Sequence, residues 1–150
     1  MPQRGFTLVE MVIVLAIAGL VLWIVVPAAQ AYIDRSRVAQ AALEIGNLST
    51  TLRKQMKSTG VLPDSLDAAP FNAPTDPWGH PYEYVNLGDS KGNGQARKDK
   101  NFNPLNSDFD LYSIGADAQT KPQITHAFSR DDIIRARDGG FIGLASDFDP

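Results

Sequence analysis

Polarity changes along this chain in two steps. Residues 11–29 carry no charged side chain, and the uncharged stretch continues to Ile33, with Glu10 alone at its head. At 1.5 Å per residue, about 20 helical residues cross the ~30 Å hydrocarbon core of a bilayer, and this run is long enough. After Ile33 the apolar positions fall into a stripe: Val38, Ala42, Ile45, Ser49, Leu52 and Met56, widened by Ala41 and Leu48. That spacing is the signature of an amphipathic helix packed on a core. Arg37, Gln40, Glu44, Asn47, Arg53 and Lys54 occupy the opposite face. Basic residues Arg53, Lys54 and Lys57 suit a helix C-terminus, Gly60 ends it and Pro63 prevents its resumption. The pattern predicts one helix over residues 6–59. Pro27 offers no amide hydrogen to the carbonyl of Trp23, so a bend or local melting is expected between them.

Beyond residue 60 the pattern shortens. Residues 63–75 are rich in Pro, Ala and Asp and read as a loop with a short turn around Asp64, Ser65 and Leu66. In DPWGHPYEYVN, residues 76–86, Pro77 and Gly79 mark a turn, while Tyr82, Tyr84 and Val85 suit a strand over 82–86. FDLYSIG, residues 109–115, reads as a second strand, antiparallel to the first. Between them lies a polar loop in which Arg97, Lys98 and Lys100 are expected to form a solvated face. Trp78 is expected to anchor the core. Phe141, Ile142 and Leu144 suit a final strand or a subunit contact, and Phe148 has no assigned place. The predicted class is α+β, a long N-terminal helix on a small antiparallel sheet.

The totals narrow the function. The 150 residues have a formal net charge of -3, which gives no drive toward nucleic acid or an anionic membrane surface. There is no cysteine, which excludes a disulfide framework and a thiolate metal site. The two histidines, His80 and His126, have no zinc-ligand spacing. Neither a nucleophile–base pair nor a glycine-rich phosphate loop appears, so the chain does not read as an enzyme.

Chemistry concentrates at the N-terminus. A cleaved signal peptide would use Ala29-Gln30-Ala31 as its cleavage site, and a plain anchor would need only the apolar length. Neither accounts for Glu10, because a carboxylate at the edge of hydrocarbon is costly unless paired. Cleavage after Gly5 would expose a new amino group on Phe6. Within one chain, or between neighbouring copies in a helical stack, that amine is a partner for Glu10.

Gly5-Phe6-Thr7-Leu8-Val9-Glu10, followed by the apolar helix and Pro27, resembles the prepilin signal of type IV pilins and type II secretion pseudopilins. The resemblance implies cleavage between Gly5 and Phe6 by a prepilin peptidase, which also methylates the Phe6 amine. It further implies a leader 1–5, a membrane and filament-core helix 6–33, an amphipathic continuation 34–60 and a periplasmic head 61–150. Asp34, Arg35 and Arg37 would then be contacts between subunits rather than a solvated flank. The protein would await assembly in the bacterial inner membrane, and an assembly platform there, a cytoplasmic ATPase and minor pseudopilins would be its partners.

DPWGHPYEY, DLYSIGAD and the later DDI are similar to the major pseudopilins of type II secretion. By spacing alone, Asp117, Asp131 and Asp132 are either solvated side chains, with Asp131 able to cap a turn, or oxygens gathered around a hard cation. The resemblance implies calcium, bound by Asp117, Asp131 and Asp132 with carbonyls around Ile114. This chain departs from the family in a longer interval containing Lys121, Pro122, His126 and Arg130, and in the tail after Ile133. Asp89, Lys91, Asn93 and Gly94 do not make an EF-hand, because Lys91 and Lys100 stand where oxygen ligands belong. The expected role is a self-associating structural subunit of a pseudopilus that pushes folded proteins through an outer-membrane secretin. The alternatives are a type IV pilus subunit, a minor pseudopilin, or a membrane-anchored periplasmic calcium-binding or enzymatic module.

Overall fold

The structure, a computed structural model, describes residues 5, 7–88 and 94–149. It divides into two compact units, Met1–Ser36 and Arg37–Pro150. One helix, α1 (Leu8–Thr59), supplies the described body of the first unit and the opening element of the second. In the first unit the apolar side chains are bare: Leu8 is 80% exposed, Trp23 78% and Ile33 47%. This part of α1 is long and apolar enough to cross a membrane. The chain stays helical across Trp23–Pro27, so the expected melting does not occur. The missing proline amide removes one hydrogen bond, and the turns on either side keep theirs.

In the second unit, Ala41, Ile45, Ser49 and Leu52 are buried, with Val38, Ala42 and Leu48 partly so. Met56 leaves the predicted stripe and is exposed, because it lies in the last turns. Gly60 accepts the left-handed conformation that terminates the helix, at φ +78, and its amide donates to the Met56 carbonyl at 2.8 Å.

The sheet has four antiparallel strands in chain order: β1 (Glu83–Asn86), β2 (Phe109–Ser113), β3 (Ile133–Ala136) and β4 (Phe141–Leu144). Glu83 faces Tyr112 across β1 and β2, Tyr112 faces Ile134, and Ile133 faces Leu144. Side chains alternate between faces, so adjacent residues enter different cores. Phe109, Leu111 and Ile133 join Ala41, Ile45 and Leu52 on one side. Ile134 and Ala136 join Leu105, Ile124 and Ala145 on the other. Covering both faces explains why β3, with the sequence IIRA, shows no polar alternation and is wholly buried.

The C-terminal tail completes the second core. β4 is the predicted final strand, and Phe148 packs edge-on against Phe141 and Phe102 with ring centroids at 5.2 and 6.3 Å. Trp78 packs partly buried against the first core.

Candidate functional site

At the start of α1, Thr7 precedes the first helical turn and Glu10 lies three residues on. The Thr7 amide and hydroxyl donate to Glu10 Oε2 at 2.8 and 2.9 Å, and the Glu10 amide donates to Thr7 Oγ1 at 3.3 Å. This is a reciprocal capping box, which satisfies amides that a helix start leaves unpaired. Its sequence signal is Thr-x-x-Glu ahead of an apolar run, a pattern separate from the Glu10 charge on which the sequence reading rests. Gly5 is exposed, and Phe6 lies outside the described residues, as do Asp89, Lys91 and Asn93.

Asp76 organises the turn before β1. Its Oδ1 accepts the amides of Trp78 at 3.0 Å and His80 at 2.9 Å, while its Oδ2 accepts the Ser113 hydroxyl of β2. Gly79 takes φ +92 within this turn. Serine, aspartate and histidine therefore meet, but the serine donates to the aspartate, and His80 Nδ1 stands 3.8 Å from the same carboxylate. Among the described residues no hydrogen bond joins the serine to the imidazole as a nucleophile–base pair would require, and the trio braces the turn against the sheet. Nearby, the Tyr82 hydroxyl donates to Glu44 of α1 at 2.6 Å, and burial followed by this bond pushes the phenol far above its ordinary range.

The carboxylates expected around calcium each accept a donor from the protein. Asp131 Oδ2 accepts the amides of Ala116 at 3.1 Å and Asp117 at 3.3 Å, closing the bend after β2. Gly115 makes this approach possible: at φ +69, a Cβ there would stand 2.6 Å from the Asp131 carbonyl oxygen. The Asp117 carboxylate turns to the Gln119 amide at 2.8 Å. Asp132, fully buried, turns instead to the guanidinium of Arg97 and to the Thr120 hydroxyl. Ile114, half-buried, leads into the bend. Among the described residues, no three His, Cys, Asp or Glu side chains gather into a metal site. His126, by its Nδ1, caps the turn Ala127–Ser129, accepting the Phe128 amide at 3.2 Å.

Arg97 is a correction to the sequence reading. Of the expected solvated trio, only Lys98 and Lys100 are exposed, while Arg97 is 1% exposed. Its guanidinium stacks 4.2 Å over the Tyr112 ring and donates to Thr120 Oγ1 and, at 3.1 Å, to the Lys121 carbonyl. Its backbone amide donates to Asp110 at 2.6 Å. Burial pushes the Asp132 and Asp110 carboxyls above their ordinary range, and Arg97 pulls both back. Nothing local in the sequence marked Arg97, because its partner lies across the sheet.

Arg135 forms a second buried arginine centre. It stacks 4.0 Å over Phe109 and donates through two nitrogens to the Asp108 carboxylate, each at 2.8 Å.

The profile described as the prokaryotic N-terminal methylation motif matches residues 1–26. The type II secretion system core protein G of Pseudomonas aeruginosa is 30% identical over 138 residues, covering 78% of this chain and 86% of that protein. The core protein G of Xanthomonas campestris is 31% identical over 132 residues, covering 78% of this chain and 81% of that protein. The type IV major fimbrial protein FimA of Dichelobacter nodosus is 44% identical over 50 residues, 33% of this chain and 32% of that protein. No solved structure matches the chain. With the methylation motif, the apolar anchor helix and the helix-on-sheet head in place, the chain belongs to the type IV pilin-like superfamily, the family of the type II secretion core proteins G and the type IV fimbrial proteins.

Proposed function

We propose that this chain is the major structural subunit of a type II secretion pseudopilus. The observation that carries the reading is how far the likeness extends. It spans 78% of the chain and 86 and 81% of the two core G proteins, against 33–65% of the chain and 32–45% of the matched protein for several fimbrial and pilin proteins, and so reaches furthest into the head for the core G proteins.

In this reading residues 1–5 are a leader cut from Phe6 by a prepilin peptidase, which then methylates the new amine. Residues 6–33 hold the subunit in the inner membrane and later form the filament core. Residues 34–60 join that core to the periplasmic head, 61–150. A platform protein and a cytoplasmic ATPase feed subunits into the filament beneath minor pseudopilins, and growth drives folded exoproteins through the secretin. Extraction from lipid is offset when the bare apolar face of α1 meets other copies and Glu10 meets the Phe6 amine of a neighbour. That pair fixes register more than it adds stability.

A deletion strain tests the assignment. Loss of protein secretion with surface pili intact is the expected phenotype. Loss of surface pili with secretion intact would support the second reading, a type IV pilus subunit, which the fimbrial matches favour. The processing step has its own test: Gly5→Leu should leave a precursor-sized band, and a mature-sized band would place the cut elsewhere.

A further inference from the structure

The calcium expected here does not fit the residues present. Calcium takes six to eight oxygens at about 2.3–2.6 Å, several of them carboxylate. Each of the three aspartates expected to supply them already accepts a donor from the protein. Asp131 holds the Ala116 and Asp117 amides, Asp117 holds the Gln119 amide, and Asp132 holds Arg97 and Thr120. The Lys121 carbonyl is taken too, by Arg97 at 3.1 Å and by Ser129 Oγ at 2.9 Å.

We propose that the Arg97 guanidinium is the resident cation of this lobe, and that it holds the Asp117–Asp132 loop closed without calcium. Three features carry the assignment. First, the geometry is that of a built site: Arg97 and Asp132 are 1% and 0% exposed, and the cation sits 4.2 Å over the centre of the Tyr112 ring. Second, the guanidinium spans three acceptors that converge from separate positions on the loop: Thr120 Oγ1, the Lys121 carbonyl and the Asp132 carboxylate. The segment that makes the aspartate interval long thus supplies two of the three. Third, of the three aspartates expected at calcium only Asp132 is fully buried, and the guanidinium meets it, while Asp131 and Asp117 accept amides; Asp110, also fully buried, is held by the Arg97 amide and by Asn106. Asp132 Oδ1 and Arg97 Nε are buried without a hydrogen-bond partner among the described residues. The remaining carboxylate oxygens are not gathered into one shell, since no three acidic side chains among the described residues group as a metal site, and the guanidinium beside Asp132 repels a second cation there.

The test is thermal unfolding of the full-length chain in detergent micelles, followed by near-ultraviolet circular dichroism. It is run with chelator and with millimolar calcium chloride. A structural ion at a hundred times its dissociation constant would raise the midpoint by roughly ten degrees or more in a head of this size. The expected result is a midpoint that agrees within about one degree in the two conditions, since a site that binds nothing gives no linkage shift. A midpoint lowered by chelator and restored by calcium overturns the proposal.

Arg97→Gln should lower the midpoint in both conditions alike, or leave the head unfolded in both. Arg97→Lys should recover only part of the loss, because a point charge cannot span three acceptors in one plane. Wild-type melting by Arg97→Gln, or full recovery by Arg97→Lys, would also overturn it. The double variant Arg97→Met with Asp132→Leu keeps the test open if the single variant fails to fold. It removes both charges together and should melt closer to wild type than Arg97→Gln does.

Discussion

Glu10 has two candidate roles that one pair of substitutions separates. In the single chain its carboxylate closes the capping box, with bonds to the Thr7 amide and hydroxyl at 2.8 and 2.9 Å. Glutamine has the same length and keeps an oxygen for the Thr7 amide, and capping boxes accept it. Alanine removes both bonds, at a cost of about 1 kcal/mol, or roughly fivefold in the population of the ordered helix start. The proposed filament role depends on charge instead. An uncompensated carboxylate within apolar surroundings costs about 3 kcal/mol, and relief of that cost by a neighbour's amine shifts assembly by roughly a hundredfold. Glu10→Gln should therefore insert into membranes and be processed normally, yet assemble as poorly as Glu10→Ala. Membrane insertion is read by carbonate extraction, and assembly by the pelletable filament fraction after shearing. Filaments at wild-type yield from Glu10→Gln, with loss confined to Glu10→Ala, would refute charge pairing and leave the cap as the whole role of this residue.

Three further outcomes follow from the head. Gly115→Ala combines a left-handed φ of +69 with a Cβ that would stand 2.6 Å from the Asp131 carbonyl oxygen. A loss of about 2–4 kcal/mol in urea unfolding is expected, and a change below about 0.5 kcal/mol would contradict that contact. Leu52→Ala, at a side chain with no exposure, should cost about 2–5 kcal/mol by the same assay, and a loss under about 1 kcal/mol would mean that the core collapses around the gap. Burial raises the Asp110 carboxyl above its unfolded value, with Asn106 and Arg97 pulling back. Its contribution to stability is thus fully present below the ordinary carboxylate range and is lost as pH rises through the raised value. Unfolding free energies measured from about pH 3 to 7 should move against the wild type relative to non-titrating Asp110→Asn, and a flat or reversed difference would refute the burial argument.

Local physics made much of the fold legible. The helix could be read because its stripe repeats over many turns and Gly60 ends it, and both outer features of the sheet, β1 and β4, have turn residues beside them. β3 escaped because both of its faces are covered: Ile133 and Ile134 enter different cores, so the alternation that marks a half-buried strand is absent. The candidate cation site divides the same way. Asp117, Asp131 and Asp132 are grouped by the family resemblance, while spacing alone leaves them as solvated side chains or cation ligands. Arg97 could not be paired with Asp132, because their contact spans 35 residues and depends on the register of β2 and β3. A basic run reads as solvated wherever its partner is set by tertiary structure, and Lys98 and Lys100 follow that rule while Arg97 breaks it.

The two units use their apolar residues in opposite ways, and this bears on how copies would associate. The head spends its apolar side chains internally, on both faces of one sheet. Among its described residues the large exposed ones are Leu43, Met56, Val61 and Phe128. The first unit leaves its whole apolar surface bare, from Leu8 to Ile33. Hydrophobic association scales with apolar area removed from contact with water, but lipid already covers such a helix, so simple burial offers little net gain on leaving the bilayer. What separates the assembled state from the membrane state must then be interactions that lipid cannot supply. Close packing between helices is one, with Gly19 offering open space for an approach, and a partner for the Glu10 charge is the other. On this argument the specificity of assembly resides in a few polar and small residues of an otherwise interchangeable apolar helix. Conservative Leu, Ile and Val exchanges among residues 11–26 should leave filament yield nearly unchanged, whereas Gly19→Leu should lower it. Equal yields from the two sets of variants would place the specificity in the head instead.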